Sequence, residues 1–259
     1  MMPPSETLLE ISAIGKNFGG LAALSEVSLH IQRKEIYGLI GPNGAGKTTL
    51  FNIITGLYPF DNGCFKFDGV TYTCCKPHLL AQSGIARTFQ NIRLFANMSA
   101  LENVMVGRHL RTRCGIWGAL TRNASARTEE HAIQQRAYQL LDYVGIQCAP
   151  HTLAKNLSYG EQRRLEIARA LATDPKLLAL DEPAAGMNAT ETESLKTLLQ
   201  TVRADGITVL LIEHDVKLVM GLCDRVTVLD YGKKIAEGVP QEVRNNPAVI
   251  AAYLGGNGE

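Results

Sequence analysis

Apolar and polar residues alternate near the start of the chain in a way that is typical of half-buried strands. Val27, Leu29 and Ile31 are apolar with polar residues between them, and segments Leu8–Ile14 and Cys64–Phe67 extend the pattern. A period of two places every second side chain on one face of a strand. We therefore predict a small antiparallel sheet near the N-terminus.

Four short, largely apolar segments predict buried strands. Helical stretches lie between the later ones, for example Glu191–Val202. Strands and helices in alternation favour an α/β fold, in which helices cover both faces of a parallel sheet. The four segments are Ile36–Ile40, Ile85–Phe89, Leu177–Leu180 and Ile207–Ile212.

The middle of the chain has a different pattern, because no strand signal interrupts residues 92–156. Segment Ala132–Val144 has helical periodicity, and we predict a helical subdomain over about 92–157, inserted into the α/β core. The apolar face of this helix carries Ile133, Ala137, Leu140, Leu141 and Val144. Arginines from Arg108 to Arg127, with no acidic residue among them, fit either a solvated loop or a docking surface.

Composition and charge exclude several classes of protein. The 259 residues are 46% hydrophobic, and 26 Lys and Arg against 25 Asp and Glu give a net charge of +1. Apolar content of this size supports a folded core and argues against disorder, and the balanced charge argues against a generally basic nucleic-acid binder. No window approaches the roughly 18 consecutive apolar residues of a membrane span, and the first residues do not resemble a secretory signal. We expect any work at a membrane to require a spanning partner.

A glycine-rich segment after the apolar strand Ile36–Ile40 matches the pattern G-x-x-x-x-G-K-[ST] and precedes the helical run Thr49–Thr55. In this context the backbone N–H groups surround phosphate oxygens, and the helix N-terminus adds partial positive charge. Lys47 would pair with the β- and γ-phosphates, and the Thr48 hydroxyl would bind Mg²⁺. The segment is Gly41, Pro42, Asn43, Gly44, Ala45, Gly46, Lys47 and Thr48.

Polar residues follow three of the predicted strands. Asp181 and Glu182 come directly after Leu177–Leu180, where Asp181 could hold Mg²⁺ through water and Glu182 could polarise an attacking water. Gln90 and His214 follow two other apolar segments. If these strands are parallel, all of these residues meet the glycine-rich loop at one sheet edge, where α/β proteins bind ligands.

A further helix is predicted from Ser158 to about Thr173. Ser158 and Glu161, three residues apart, form a capping-box pattern, which is sufficient structural reason for a helix to begin there. A capped helix start is also an anion site. If this helix points away from the glycine-rich loop of its own chain, it can reach only phosphate that is bound to a second subunit.

These motifs, in this order, resemble the signature set of ABC-type ATPases from Leu8 to Leu254. The resemblance implies one ATP-binding domain over residues 7–254, with a RecA-like P-loop NTPase core. It also implies a head-to-tail dimer that holds two ATP molecules between P-loop and signature helix. The implied nucleotide-binding residues are Phe18, which would stack on adenine, Gly41, Pro42, Asn43, Gly44, Ala45, Gly46, Lys47, Thr48, Thr49, Ser158 and Gly160.

The same resemblance implies the catalytic roles. Glu182 would be the general base, His214 would contact the γ-phosphate, and Gln90 would sense a transmembrane partner. Magnesium would be held by Thr48, Gln90 and Asp181. The sequence departs from the common pattern at Tyr159, where glycine is usual, at Glu161, where glutamine is usual, and at Asn188, where aspartate is usual.

Three segments narrow the resemblance to the longer ATPase subunit, the LivG type, of bacterial branched-chain amino-acid importers. They are Arg87–Phe95, Glu182–Asn188 and Asn246–Gly255. That subgroup implies a peripheral subunit on the cytoplasmic face of the inner membrane. Its partners would be a shorter sister ATPase, two permease subunits and, indirectly, a periplasmic binding protein, with no nucleic acid.

Two alternatives stay open at this stage. The same ATPase subunit could drive uptake of urea, short amides or another small solute. Alternatively, the chain could be a soluble ABC ATPase that acts as an assembly or scaffold factor. A P-loop GTPase is disfavoured because no Asn-Lys-x-Asp segment is present. A chromosome-handling ATPase would need a long coiled-coil insertion, and a translation factor of this family would need two cassettes, whereas one P-loop occurs here.

Overall fold

The computed structural model of the protein describes residues 6–73, 76–111, 124–146 and 150–255. Its strands are β1 (Thr7–Phe18), β2 (Leu21–Gln32), β3 (Ile36–Ile40), β4 (Asn62–Phe67), β5 (Val70–Tyr72), β6 (Ile85–Arg87), β7 (Leu177–Asp181), β8 (Thr208–Ile212), β9 (Arg225–Asp230) and β10 (Lys233–Gly238). Its helices are α1 (Lys47–Ile54), α2 (Pro77–Ser83), α3 (Ala100–Arg108), α4 (Ala124–Tyr143), α5 (Tyr159–Leu171), α6 (Ala189–Ala204), α7 (Val216–Leu222), α8 (Pro240–Arg244) and α9 (Pro247–Gly255). Single 3₁₀ turns occupy His109–Arg111 and Ala154–Asn156.

The first sheet is antiparallel and has the strand order β2-β1-β4-β5. Leu9 pairs with Phe67 on one side of β1 and with Ile31 on the other. Alternate side chains on these strands, including Phe65 and Ile11, are buried in a core that they share with α1. The predicted N-terminal antiparallel layer is therefore present.

The second sheet has the order β10-β9-β3-β8-β7-β6, and its strands are parallel except for β10. Every residue of β3, β7 and β8 is buried, which explains why these strands are continuous apolar runs rather than alternating ones. Because β3, β8, β7 and β6 are parallel neighbours, their carboxyl ends lie along one edge of the sheet. The sequence analysis made the convergence of the polar residues at one sheet edge conditional on parallel strands, and the strands are parallel.

Two sequence expectations need correction in this sheet. The strand predicted over Ile85–Phe89 ends at Arg87, although the Thr88 N–H still donates to Ala179 O at 2.9 Å. It lies at the sheet edge and pairs only with β7, so no second neighbour extends it. The pattern also did not predict β9 and β10, and β10 is hard to detect because its residues are half-buried or exposed.

Helices α3 and α4 occupy the segment between positions 92 and 157, where the described residues form only a single bridge of strand type, Ser99 with Leu153. On α4, Ala137, Leu140 and Leu141 are buried against α3 and α5 as the periodicity predicts, whereas Ile133 is only partly covered. None of the helices in the described ranges is long and apolar enough to cross a membrane.

Two arginines of the basic stretch that begins at Arg108 make contacts within the chain. Arg108 pairs with Asp174, and Arg111 Nε donates to Thr173 O at 2.7 Å, so both hold the loop that follows α5. Arg113 and Arg122 lie outside the described residues. In the described part, therefore, these two arginines bind within the chain.

Candidate functional site

The glycine-rich loop connects the end of β3 to the start of α1. Gly41 has φ +149° and Gly46 has φ +98°, and both lie in confined surroundings. A Cβ on Gly41 would lie 2.1 Å from Leu229 O, and one on Gly46 would lie 2.7 Å from Ala23 O. Only glycine fits at these two positions, because any side chain would meet backbone as well as an unfavourable φ.

Lys47 is the first residue of α1 and is buried. Its Nζ donates to Gly41 O at 2.7 Å and to Pro42 O at 2.8 Å. Burial lowers the pKa of Lys47, while the negative charge of Glu182 opposes that shift. In the described residues, two neutral backbone carbonyls accept from this ammonium group. It would bind charged phosphate oxygens more strongly than it binds those carbonyls.

A cleft of about 500 Å³ opens beside this loop. Phe18, at the end of β1, is 45% exposed and presents its ring to the cleft. The Tyr58 ring packs edge-on against it with 5.4 Å between centroids, and Lys16 Nζ lies 5.5 Å from the Phe18 centroid. The lining residues are Phe18, Leu21, Ala22, Ala23, Asn43, Gly44, Ala45, Gly46, Lys47, Thr48, Thr49, His214, Tyr231 and Gly232. The cleft thus combines an aromatic surface with an anion-binding loop.

Glu182 lies between two of the predicted catalytic side chains. Gln90 Nε2 donates to Glu182 Oε2 at 2.8 Å, and His214 Nε2 lies 2.6 Å from Glu182 Oε1. Glu182 has φ +47°, an uncommon conformation for a residue other than glycine, and its N–H donates to Ile212 O at 2.9 Å. Loops after three parallel strands therefore bring these three residues into one hydrogen-bonded cluster.

Asp181 ends β7 and is buried, 3.8 Å from the Arg87 guanidinium. Burial raises the pKa of Asp181, and the positive charge of Arg87 opposes the shift. The Asp181 carboxylate and the Thr48 hydroxyl are the oxygen donors that Mg²⁺ prefers, and a cation there would favour the ionised carboxylate. The part of the chain described here has no group of three His, Cys, Asp or Glu residues able to hold a metal alone. Phosphate and water oxygens would have to complete such a site.

Ser158 caps α5 in the predicted capping box. Its Oγ accepts from Glu161 N at 3.4 Å, and its N–H donates to Glu161 Oε2 at 2.9 Å. Gly160 packs so closely on α6 that a Cβ would lie 2.7 Å from Glu191 Oε1. Neither Ser158 nor Gly160 is among the described residues that line the cleft, and the same is true of Gln90, Asp181 and Glu182.

Asn188, one of the departures from the common pattern, caps α6. Its Oδ1 accepts from Glu191 N at 3.0 Å, and the Asn188 N–H donates to Glu191 Oε2 at 3.0 Å. Tyr159, another departure, is half-exposed, and its hydroxyl lies 3.0 Å from the Arg163 guanidinium. Both departures therefore have a local structural role.

A buried ion pair supports the loop that carries Gln90, and sequence reasoning missed it. Arg163 donates to Phe89 O and to Gln90 O, both at 2.7 Å, and also contacts Glu166 at 3.3 Å. Glu166 in turn accepts from the Arg93 N–H at 3.3 Å. Both side chains of the pair are almost fully buried on α5. Opposite charges three residues apart are common on exposed helix faces, so no signal in the sequence distinguishes this pair.

Replacing Arg163 by alanine is expected to lower the free energy of unfolding by about 3–5 kcal/mol, because the buried Glu166 charge would lose its nearest partner. Urea unfolding measures the loss. The matched control is Arg203→Ala, which removes a half-exposed pair with Asp224 and should change stability by at most about 1 kcal/mol. Equal small effects in both variants would contradict the supporting role of Arg163.

Two family profiles and several known proteins are similar to this chain. A family profile described as "ABC transporter" matches residues 24–185, and one described as "Branched-chain amino acid ATP-binding cassette transporter" matches residues 233–259. The chain is 43% identical to the high-affinity branched-chain amino acid transport ATP-binding protein BraF of Pseudomonas aeruginosa, covering 97% of this chain and 99% of BraF. It is 44% identical to the protein LivG of Salmonella typhimurium, named for the same transport, with the same coverage.

Among solved structures, the ADP conformation of an ATP-binding cassette of an ABC transporter superimposes with a TM-score of 0.84. The two sequences are 32% identical, and the alignment covers 96% of this chain and 99% of that one. The similarity therefore extends over both sheets and the helices between them.

Proposed function

We propose that this chain, which belongs to the ABC transporter family of ATP-binding proteins, is the ATPase subunit of a branched-chain amino-acid importer. As a member of that family it binds ATP and is an ATPase with an α/β P-loop fold. The transport assignment rests on similarity to BraF and LivG over nearly the whole chain, and on the match at residues 233–259. The observation that supports hydrolysis is Glu182 held between Gln90 and His214, of which His214 lines the cleft.

In the proposed site the cleft receives the nucleotide. Phe18 offers an aromatic face to the base, and Gly41, Pro42, Asn43, Gly44, Ala45, Gly46, Lys47, Thr48 and Thr49 surround the phosphates. Lys47 exchanges its two loop carbonyls for phosphate oxygens. Mg²⁺, held by Thr48, Gln90 and Asp181, would neutralise phosphate charge during transfer.

Glu182 is the proposed general base. Its carboxylate takes the proton of the attacking water, and the hydrogen bonds from Gln90 and His214 keep both oxygens oriented before the reaction. His214 also lines the cleft, so its ring can turn from Glu182 to a terminal phosphate. The Asp181 side chain is less exposed than that of Glu182, at 8% against 15%, which favours Glu182 for contact with water.

In the proposed assembly Ser158 caps the N-terminus of α5 and makes it an anion site. Ser158 and Gly160 then contact phosphate on a second ATPase subunit, a shorter sister, in a head-to-tail dimer. The domain responsible spans residues 7–254, with the helical subdomain over about 92–157 inserted. The dimer docks on two permease subunits at the cytoplasmic face of the inner membrane, and a periplasmic binding protein supplies them.

The direct test is uptake of labelled leucine at low concentration in cells that lack this gene. Wild type and Glu193→Gln, an exposed carboxylate on α6, should restore uptake, whereas Glu182→Gln should not. The chain should also sediment with membranes and be released by chaotropic salt. Normal leucine uptake in the deletion strain, with no redundant system, would contradict the amino-acid assignment and direct the assay to urea and amides. A chain that fractionates only with soluble complexes would favour an assembly factor.

A further inference from the structure

The turn between β9 and β10 carries an exposed aromatic residue at the wall of the nucleotide cleft. Tyr231 is 88% exposed, and it lines both this cleft and a second cavity, of about 900 Å³, that also reaches Gly41. Among the large hydrophobic side chains that the structure describes, none is more exposed. The ring therefore contributes little to the packing of the chain itself.

The backbone of this turn is unfavourable for tyrosine. Strand β9 ends at Asp230, β10 begins at Lys233, and these two residues pair. The turn between them consists of Tyr231 and Gly232, with φ +43° and +73°. Positive φ at both positions is the pattern of a type I′ turn, which prefers asparagine, aspartate and glycine. A bulky residue at such a φ is an outlier, and an outlier on the wall of a binding cleft is a candidate for function.

The turn is fixed between two parts of the cleft. The Gly232 N–H donates to Ala45 O of the P-loop at 3.0 Å, and Gly232 O accepts from the Ser25 N–H of β2 at 2.8 Å. Gly232 also lies so close to β2 that a Cβ would be 2.6 Å from Ala23 O. Strand β2 pairs with the strand that ends at Phe18, the proposed base contact. A turn joined to both β2 and the phosphate-binding loop lies beside the sugar that connects base and phosphates.

We propose that Tyr231 is a nucleotide-binding residue whose ring packs on the ribose of the bound nucleotide. The proposal rests on the proposed function of the cleft, and it deepens that function by assigning a second aromatic contact besides Phe18. The hydrogen bonds of Gly232 hold the turn in place, so that rotation about the side-chain bonds of Tyr231 brings the ring over the sugar. Contact with an apolar face of the sugar buries part of the exposed ring, which favours binding. ATP and ADP have the same sugar and gain equally from this contact.

The variant Tyr231→Asn separates this contact from the stability of the turn. Asparagine removes the ring but suits a positive φ, so the variant should unfold at a urea concentration equal to or above that of the wild type. Its Kd for ATP and its Kd for ADP should both rise about three- to tenfold, the range expected from burying part of one aromatic ring. Urea unfolding and equilibrium titration with each nucleotide, on the full-length chain, measure the two effects.

Two further variants serve as controls. Tyr231→Phe keeps the ring and should keep both Kd values within about twofold of the wild type. Tyr138→Ala removes an exposed ring on α4 that lines neither cavity, and it should leave both Kd values unchanged.

The outcomes distinguish this proposal from the proposed function. Wild-type Kd values in Tyr231→Asn would overturn the ribose contact and leave the proposed function standing. A loss in Tyr231→Phe as large as that in Tyr231→Asn would also overturn it, because the hydroxyl and not the ring would then make the contact. A loss for ATP alone would overturn it as well, since the sugar is common to both nucleotides. If the wild-type chain binds neither nucleotide, the proposed function fails and the ribose contact fails with it.

Discussion

ATP hydrolysis by the Glu182→Gln variant is expected to fall on the order of 100-fold or more, while ATP binding persists. Glutamine keeps the size of the side chain and can still hydrogen-bond to Gln90 and His214, but it cannot take a proton from water. The loss should therefore appear in kcat, with little change in the Kd for ATP. Single-turnover hydrolysis and equilibrium binding on the same preparation measure the two quantities.

The control for this variant is Glu193→Gln on α6. The Glu193 side chain is 69% exposed and contacts only Lys196 in the described contacts, at 3.5 Å. It loses the same charge at a distance from the cleft and should hydrolyse ATP at the wild-type rate. Unchanged hydrolysis in Glu182→Gln would remove Glu182 from the role of general base.

Lys47→Ala is expected to weaken ATP affinity by about 10- to 100-fold, the range for a hydrogen bond to a charged group. Its ammonium is buried at the start of α1, where Gly41 O and Pro42 O accept from it, so alanine removes the side-chain cation that would pair with phosphate. Equilibrium titration with ATP measures the change.

Lys196→Ala serves as the matched control, since it removes a partly exposed ammonium from the ion pair with Glu193, outside the cleft. Its ATP affinity should equal that of the wild type. Thermal unfolding of both variants establishes that the fold persists. Wild-type affinity in a folded Lys47→Ala variant would contradict the proposed phosphate contact.

Much of the fold could be predicted because strands covered on both faces and strands covered on one face have clearly different hydrophobic patterns. Segments Ile36–Ile40 and Leu177–Leu180 are continuously apolar because both faces of those strands are covered. Val27 and Ile31 alternate with polar residues because one face of that sheet meets solvent. The strand predicted to reach Phe89 was wrong at its end, since edge strands are limited by their neighbours and not by local composition.

The supporting residues could not be predicted in the same way. Arg163 and Glu166 resemble ordinary surface charges in a helical sequence, and only packing against the Gln90 loop buries them. Tyr253 and Gly41 line the same cavity although they lie more than 200 residues apart in sequence, and no local pattern connects them. Contacts between distant segments depend on how the elements pack, and hydrophobic periodicity carries no information about that.

The sequence alone determined most of the strands and helices, though not β9 and β10, together with the P-loop between β3 and α1 and the resemblance to the family. These follow from local spacing: a glycine at a left-handed φ, a lysine at a helix start, a carboxylate after a buried strand. The tertiary structure alone decided that Gln90 and His214 both reach Glu182, and that Tyr253 lines a cavity together with the start of the P-loop. The physical reason is strand order: parallel pairing of β6, β7, β8 and β3 sets which loops become neighbours, and that order is a property of the whole sheet.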